Sequence, residues 1–272
     1  MQNAESPAGS SSNMAPNVTP SLSPTAAPAP AVTKMAGITD LPKGHIHPIN
    51  QVIAEINSIF VGMGFEVAEG PEIETEFFNF DALRVPKDHP ARDMQDTFWM
   101  KDAGPNGELL VPRTHTSGVQ IRYSQSHKPP FKILVPGKVF RNEATDATHE
   151  AEFFQIEGMM VDKKVSVADL KGTLETFFKK LFGPDTEIRM RPSFFPFVEP
   201  GIEVDVRWKD RWLEVLGSGL VHPEVLQNAG IDPNEWQGFA FGMGLDRIVM
   251  LKYGIDDIRH MYSGDLRFVN QF

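Results

Sequence analysis

Hydrophobic side chains recur every three or four residues in two segments of the chain, a spacing that predicts two amphipathic helices. The first segment has its apolar residues at Ile49, Val52, Ile53, Ile56, Ile59 and Phe60. Gly62 and Gly64 follow it and are expected to end the helix. The second segment is VSVADLKGTLETFFKKLFG, in which Ser166 is a suitable N-cap and Gly183 marks the end.

Elsewhere apolar and polar residues alternate, which predicts strands with one buried face. The stretch GIEVDVRW alternates in this way, Lys209-Asp210 is expected to turn, and RWLEVLG is expected to return as the next strand. Shorter strands are expected from Phe65 to Gly70-Pro71 and from Ile133 to Val139, the second broken at Pro136-Gly137. Because hairpins alternate with isolated helices and no regular βαβ rhythm is present, the predicted fold class is α+β, a mainly antiparallel β-sheet flanked by helices.

Residues 1–33 follow neither pattern. They are rich in Ala, Pro, Ser and Thr and contain a single charged residue, Glu5, and their prolines recur too often for a helix or a sheet. Such a composition does not bury enough apolar surface to offset the entropy of ordering. We therefore predict a disordered Pro/Ala/Ser-rich extension over residues 1–43 and a folded catalytic domain over residues 44–272.

Composition narrows the classes of function. The 272 residues include no cysteine, which excludes thiolate metal sites and disulfide scaffolds. The formal net charge of −10 argues against a large basic surface that would bind nucleic acid without sequence preference. No apolar run approaches the roughly 18 residues of a membrane span, and the N-terminus lacks the basic start and apolar block of a secretory signal. We expect a soluble, cytoplasmic protein.

The stretch FRNEATDATHEAEFFQIEG, residues 140–158, places charged residues in two segments that otherwise resemble buried strands. Because positions i and i+2 share a strand face, Arg141 and Glu143 are expected to point the same way. The same holds on the second strand for Phe153, Gln155 and Glu157. One interpretation is a solvated outer face of a sheet. A bound ligand is the alternative, and the mixture of a guanidinium, carboxylates, an amide and an aromatic ring favours it.

A second stretch with unusual chemistry is GFAFGMGLDRIVML, residues 238–251. Ala240 lies on its predicted strand, and Gly242 and Gly244 leave room for a ligand to approach the backbone, although glycines here also serve the bend itself. Arg247 falls in the first turn of the following helix, where a cation is locally disfavoured. A bound phosphate explains this arginine better than helix stability does.

These features resemble motifs 1, 2 and 3 of the class II aminoacyl-tRNA synthetases: a strand that ends at Pro71, an FRNE-type hairpin, and a G-x-G-x-x-R strand and helix. More closely, the chain resembles the family of α subunits of bacterial phenylalanyl-tRNA synthetases. The matching stretches, between about residue 40 and Phe272, are RTHTSGVQIR, FRNEATDATHEAEFFQIEG, FFPFVEPGIEVDV, WLEVLGSGLVHP and GFAFGMGLDRIVMLKYGIDDIR. A chance match of five motifs in the same order is not expected.

The resemblance implies an enzyme that binds ATP and phenylalanine, forms phenylalanyl-adenylate, and passes the acyl group to the 3′ end of tRNA(Phe). It assigns catalysis to Arg141, which would grip the α-phosphate, and to Arg247, which would cover one face of the adenine and reach the γ-phosphate. Phe153 would stack on the other face, and His149 would contact ATP. Glu214, on the strand before motif 3, is assigned to the ATP site as a candidate Mg²⁺ ligand.

The implied phenylalanine site has a polar and an apolar end. The residues that would hold the ammonium group are His115, Ser117, Glu143, Gln155 and Glu157, with Trp99 nearby. The ring would be enclosed by Phe195, Phe197 and Val198, with Ala240 and Gly242 at the floor. A small apolar floor leaves room for the ring and offers no partner to a tyrosine hydroxyl. Taken alone, the FFPF aromatics are also consistent with ordinary core.

The resemblance further implies a heterotetramer of two α and two β subunits. Glu199 matches a Mg²⁺ ligand of the family at the contact with the β subunit, although both Glu199 and Glu214 are alternatively plain ion pairs. The apolar stripe of residues 49–60 is expected to contribute to the interface that motif 1 forms. Residues 1–33 lack the heptads and basic residues of the N-terminal coiled coil with which typical α subunits grip tRNA, so tRNA(Phe) binding is expected to be weakened or rearranged.

Two other functions are consistent with these stretches: a paralogue that activates another amino acid or makes an amide without tRNA, and a non-catalytic binding subunit. The apolar floor at Ala240 argues against the first, because a polar substrate needs polar partners. The combination of Arg141, Glu143, Gln155 and Arg247 argues against the second, since a binding module has no need for the whole set.

Overall fold

The protein is described by a computed structural model that covers residues 44–92 and 96–272. The predicted extension over residues 1–43 lies outside the described residues, so the division at residue 43 stays a prediction. Nine strands occur in the described residues: β1 Glu66–Val67, β2 Ile73–Thr75, β3 Leu110–Pro112, β4 Phe131–Phe140, β5 Glu152–Asp162, β6 Ile188–Phe195, β7 Val198–Trp208, β8 Arg211–Val221 and β9 Gln237–Gly244.

Seven of these strands form one sheet in the order β1-β4-β5-β9-β8-β7-β6, and β2 pairs with β3 in a separate ribbon. Every neighbouring pair in the large sheet is antiparallel except β1 with β4. The mainly antiparallel α+β fold predicted from the sequence is therefore confirmed. The helices of the described residues are α1 Pro48–Val61, α2 Glu76–Asn79, α3 Ser117–Ser126, α4 Val167–Phe182, α5 Pro223–Asn228, α6 Leu245–Tyr253 and α7 Leu266–Val269.

Both predicted amphipathic helices form, and a side chain caps the N-terminus of each. The His47 side chain accepts a hydrogen bond from the backbone N–H of Ile49 at the start of α1. Helix α4 begins with a capping box, in which Ser166 and Asp169 satisfy each other's backbone N–H groups. No helix in residues 44–92 and 96–272 is long and apolar enough to cross a membrane.

The large sheet is covered by apolar side chains on both faces. On one face α1, α4 and α6 pack around the rings of Phe60, Phe177 and Phe241, with ring centroids of Phe60 at 4.8 Å from Phe177 and 5.3 Å from Phe241. On the other face Ile133 and Val135 join a second cluster with residues of α3 and α5. Strand alternation separates the two sets of side chains, since neighbouring positions on β4 point to opposite faces.

The stripe on α1 has a different role from the one expected. Val52, Ile56 and Phe60 are fully buried in the core of this chain. The prediction that residues 49–60 contribute to a subunit interface is therefore wrong for the buried stripe, because α4 and the sheet already cover it.

Three local predictions also differ from the structure. Pro136-Gly137 does not break β4, because β1 pairs only with Ile133 and Leu134 and a proline is tolerated where the strand edge has no partner. Arg141 and Glu143 lie just beyond the end of β4 and not on it. Asp205, expected on the polar face of β7, is only 2% exposed.

The burial of Asp205 has a clear electrostatic reason. Its carboxylate accepts hydrogen bonds from Arg189 at 2.5 Å and from Arg191 at 2.8 Å. A buried carboxylate is tolerated when charged partners satisfy it. These guanidinium groups hold the pKa of Asp205 below its usual value.

Substitution of Ser166 by alanine tests whether the capping box contributes to stability. We expect Ser166→Ala to lower the free energy of unfolding by about 1 kcal/mol, because the backbone N–H of Asp169 loses its acceptor. Urea denaturation measures this change. The matched control is Thr176→Ala at an exposed position of the same helix, which we expect to stay within about 0.5 kcal/mol of the wild type. Equal effects of the two substitutions would contradict a capping role.

Candidate functional site

Arg141 lines two neighbouring cavities. The wide cavity has a volume of about 680 Å³ and is bounded by the segment between β4 and β5, the β7–β8 turn, and α6 with the residues that follow it. The narrow cavity has a volume of about 340 Å³ and lies between α3, β5 and the strands β7 to β9. The predicted residues that line the wide cavity are Arg141, Glu143, His149, Phe153 and Arg247. Those that line the narrow cavity are His115, Ser117, Arg141, Gln155, Glu157, Phe195, Phe197, Val198, Glu214, Ala240 and Gly242.

Arg141 is held between the two cavities. Its Nε donates a hydrogen bond to the carbonyl of Thr114 at 3.1 Å, and its guanidinium lies 5.0 Å from the ring centroid of Phe153. Nη1 of Arg141 lies 3.9 Å from Oε1 of Glu143. Burial lowers the pKa of Arg141, but a guanidinium remains charged at neutral pH because its normal pKa is so high. A fixed positive charge therefore faces both cavities.

The wide cavity has a second positive charge at a helix start. Arg247 is in the first turn of α6, is exposed, and makes no ion pair or side-chain hydrogen bond within the described part of the chain. Its neighbour Asp246 is buried instead and accepts hydrogen bonds from the backbone N–H of Phe154 at 2.7 Å and from the Tyr262 hydroxyl at 2.5 Å. The first contact joins α6 to β5, and the second joins it to the segment that follows the helix. Arg247 lines the wide cavity.

The segment that carries His149 is shaped by one carboxylate. Asp146 accepts hydrogen bonds from the backbone N–H groups of Thr148 and His149 at 2.6 and 2.8 Å. These bonds lower the pKa of Asp146, with the Thr148 backbone as the largest cause. His149 lines the wide cavity beside Glu150, where a ligand would meet its ring.

The polar end of the narrow cavity contains buried acceptors that have no partner. Nδ1 of His115 and Oε1 of Gln155 are both buried and without a hydrogen bond in the part of the chain that the structure describes. Burial, helped by the positive charge of Arg141, lowers the pKa of His115 to about 4. His115 is therefore neutral at pH 7. Buried acceptors without partners are rare in proteins, and a ligand that donates hydrogen bonds would satisfy them.

Glu157 lies beside these acceptors and is 4% exposed. Its carboxylate accepts hydrogen bonds from the backbone of Thr116 at 3.0 Å, the hydroxyl of Ser117 at 2.6 Å and the amide of Gln120 at 2.8 Å. Burial raises the pKa of Glu157, whereas the hydrogen bonds from Ser117 and Thr116 oppose that shift. The three hydrogen bonds favour the ionised form of this carboxylate, because each of them is donated to it.

At the apolar end of the narrow cavity, aromatic rings lie next to glycine residues of the sheet. Phe195 and Phe197 stack with centroids 5.9 Å apart. A Cβ atom on Gly217 would lie 2.9 Å from Cζ of Phe195, and one on Gly242 would lie 3.0 Å from Cγ of Glu157. These two glycines pair with each other across β8 and β9, and their missing side chains let Phe195 and Glu157 pack directly against the backbone.

Four predicted site residues lie away from their expected places. Glu143, expected to hold the ammonium group, lines the wide cavity and not the narrow one. Trp99 lines neither cavity; its Nε1 donates to the carbonyl of Arg92 at 3.3 Å, next to residues 93–95, which are not described. Glu214 lines the narrow cavity and not the wide one. The Glu199 side chain is 78% exposed, outside both cavities, and lies 3.7 Å from His222. No cluster of three or more potential metal ligands occurs in residues 44–92 and 96–272.

The structure also brings in residues that the sequence analysis missed, namely Gln120 and Gly217 in the narrow cavity and Lys209 and Arg211 in the wide one. Gln120 had a usable signal, because it follows Ser117 by three residues and so shares its face of α3. Lys209 and Arg211 had none, since the sequence predicted only a turn there.

The two cavities together suit a defined pair of ligands. The wide cavity is lined by the ring of Phe153 and by four cations and four carboxylates, namely Arg141, Lys209, Arg211, Arg247, Glu143, Glu150, Asp246 and Asp256. The guanidinium groups and the ring are suited to a polyanion that carries a flat base. The narrow cavity offers acceptors and a carboxylate at one end and aromatic rings at the other, which is suited to an ammonium group attached to an aromatic side chain. Because Arg141 borders both, the two ligands would meet at its guanidinium.

Comparison with known proteins gives concordant matches. Residues 32–272 match the family model described as tRNA synthetases class II core domain (F). The chain is 55% identical over 243 residues to the phenylalanine–tRNA ligase alpha subunit of Bacillus subtilis (strain 168), which covers 84% of this chain and 69% of that protein. It is 53% identical over 240 residues to the protein of the same name from Bacillus cereus (strain B4264), which covers 83% of this chain and 68% of that protein.

A solved structure is similar in fold. Pyrrolysyl-tRNA synthetase from Desulfitobacterium hafniense superposes with a TM-score of 0.62 at 17% sequence identity, over 80% of this chain and 74% of that chain. At this identity the similarity shows the shared architecture alone.

The pKa of His115 predicts how stability depends on pH. Between its ordinary pKa of 6.5 and its value of about 4 in the folded chain, the unfolded state binds a proton that the folded state does not. Stability is therefore lost as the pH falls through this range. Between about pH 7 and about pH 5, we expect the wild type to lose on the order of 2 kcal/mol more than His115→Asn, as measured by urea unfolding. Equal losses in the two proteins would mean that His115 is not desolvated.

Proposed function

Since the chain belongs to the family of class II tRNA synthetase core domains, we propose that it is the catalytic α subunit of a phenylalanine–tRNA ligase. It activates phenylalanine with ATP to form phenylalanyl-adenylate and passes the phenylalanyl group to tRNA(Phe). The names of the Bacillus relatives support this substrate. The observation that carries the proposal is the pair of cavities joined at Arg141, with unpaired acceptors at one end of the narrow cavity and aromatic rings at the other.

Phenylalanine fits the narrow cavity as a zwitterion. Its ammonium group donates to His115, Gln155 and Ser117 beside the negative charge of Glu157. Its ring occupies the apolar end of the cavity, which Phe195, Phe197 and Ala240 line. The carboxylate then extends toward Arg141. In this orientation the buried acceptors gain donors, which removes the cost of leaving them unpaired.

ATP fits the wide cavity with its adenine against Phe153. Arg247 covers the base and reaches the γ-phosphate, His149 contacts the nucleotide, and Arg141 grips the α-phosphate. Family members use ATP with Mg²⁺, which supplies positive charge to the phosphates when bound. Glu214, which lines the narrow cavity together with Arg141, is the candidate Mg²⁺ ligand at this site. Glu199, on the exposed surface, remains a candidate at a subunit contact.

In the first step a carboxylate oxygen of phenylalanine attacks the α-phosphorus of ATP. A new P–O bond forms, the bond to the bridging oxygen breaks, and pyrophosphate leaves with its electron pair. No general base is needed, because the carboxylate is already ionised. The contribution of the protein is to hold both reactants in line and to stabilise charge at the phosphate through Arg141.

The name alpha subunit, which the Bacillus relatives carry, supports a β-subunit partner for this chain. We propose the heterotetramer of two α and two β subunits that the sequence resemblance implies. The direct test is phenylalanine-dependent exchange of pyrophosphate into ATP by the chain with and without a co-expressed β subunit. Absence of exchange in both conditions would overturn the proposal, and faster exchange with another amino acid would select the paralogue.

Removal of the Arg141 guanidinium should reduce the exchange rate by on the order of a hundredfold to a thousandfold, because the α-phosphate loses a preorganised charge. We expect Arg141→Ala to keep the fold, since its side chain makes a single short contact, to Thr114, within the described residues. The matched control is Arg207→Ala, which removes an exposed guanidinium that lines neither cavity. Unchanged exchange in Arg141→Ala would show that the phosphate contact is misplaced.

Enlargement of the floor should change substrate choice. Ala240→Gly removes the methyl group at the end of the narrow cavity, so we expect exchange driven by para-chlorophenylalanine to rise by about tenfold relative to phenylalanine. The measurement is the ratio of kcat/KM for the two amino acids in both proteins. An unchanged ratio would place the ring of the substrate elsewhere.

A further inference from the structure

The Glu157 carboxylate supplies the cap that helix α3 lacks. Thr116, which precedes the helix, makes no side-chain hydrogen bond to the first turn. The carboxylate reaches across from β5 and accepts the backbone N–H of Thr116 and the hydroxyl of Ser117. An anion in this place is stabilised by the partial positive charge of the helix N-terminus. The strand and the helix therefore share one charged contact at the polar end of the narrow cavity.

Gln120 completes this contact and has no role in the reaction proposed above. Its Nε2 donates to Oε2 of Glu157 at 2.8 Å, and the residue is 6% exposed. It stands one turn beyond Ser117 on the same face of α3 and lines the narrow cavity. Resting on the proposed function, we infer that Gln120 is a positioning residue for phenylalanine binding, whose amide holds the Glu157 carboxylate charged and directed toward the substrate ammonium.

The charged surroundings of Glu157 explain why this donor matters. Arg141 at the end of β4 and Arg113 after β3 are the cations that act on the carboxylate, and His115 before α3 is neutral near pH 7. From β9 the carboxylate faces Gly242, which brings no charge. Both arginines are partly committed, because Arg113 donates to the carbonyl of Lys138 and Arg141 to that of Thr114. The direct hydrogen bonds from the N-terminus and first turn of α3 therefore offset much of the free energy that burial of the ionised Glu157 carboxylate costs.

A neutral Glu157 would weaken the binding of phenylalanine in two ways. Protonation would remove the negative charge that balances the ammonium group. The added proton would also need a hydrogen-bond acceptor, although the acceptors of the cavity already bind the substrate. Burial already raises the pKa of Glu157. Loss of a donor to the ionised form raises the pKa further, so protonation of the carboxylate begins at a higher pH.

The experiment compares Gln120→Met, which keeps the length of the side chain but has no donor, with the wild type in the full chain bound to its β subunit. Isothermal titration gives the Kd of phenylalanine between about pH 5.5 and about pH 8, the range in which raised carboxyl groups titrate. For Gln120→Met we expect about tenfold weaker binding than in the wild type at the acidic end and about twofold at the basic end. The affinity for ATP should stay the same.

Ser124→Ala is the matched control. Ser124 is also buried on α3 and donates to the carbonyl of Gln120 at 2.7 Å, but it does not touch Glu157. The control should show the pH profile of the wild type, which separates an effect on the carboxylate from a general loosening of the helix.

Two outcomes would overturn the inference: a Gln120→Met profile parallel to that of the wild type, or an equal change in Ser124→Ala. If Gln120→Met does not fold, Gln120→Glu provides the same test, because a second carboxyl group beside Glu157 shifts the loss of binding to still higher pH. Absence of phenylalanine binding by the wild type at every pH would overturn the proposed function itself. A wild type that binds while Gln120→Met shows no steeper pH dependence would overturn this inference alone.

Discussion

The burial of Phe239, Phe241 and Met243 under the helices of one sheet face fixes strand β9, and the site depends on that constraint. Because neighbouring residues of a strand point to opposite faces, anchoring these three side chains in the core sends Ala240 and Gly242 to the other face. There they meet Glu157 and the edge of the aromatic wall. The small residues of the site are thus held by the large residues between them, and a shift of β9 by one residue would exchange core and cavity.

The chain is acidic overall, yet its wide cavity is lined by several cations. The net charge and the charge of the cavity differ because only some of the arginines are free to face a ligand. Arg189 and Arg191 donate hydrogen bonds to the buried Asp205, whereas the Arg247 side chain has no partner within the described residues. A net charge describes the average field around a protein and carries little information about one cavity, where low dielectric and short distances decide the interaction.

Much of the fold followed from periodicity, and the reasons for the failures are physical. The helix over residues 48–61 and the strand–helix around Gly244 were recoverable because their signals lie within a few residues of each other. The burial of Asp205 and of the α1 stripe depended on partners distant in the sequence, which a pattern along one strand or helix does not contain. Arg141 and Gln155 were recoverable as unusual polar residues in apolar segments. The separation of the two cavities, and the place of Trp99 and Glu214 relative to them, required the three-dimensional arrangement.

One guanidinium serves two compartments in this molecule, since Arg141 borders both cavities. In the proposed complex, the ligand that enters first would change the electric field and the side-chain freedom that the second ligand encounters. Thermodynamic linkage would require the influence to be mutual: the factor by which nucleotide alters the affinity for amino acid would equal the factor by which amino acid alters the affinity for nucleotide. Heterotropic coupling would then arise at a single side chain and would need no movement of a domain.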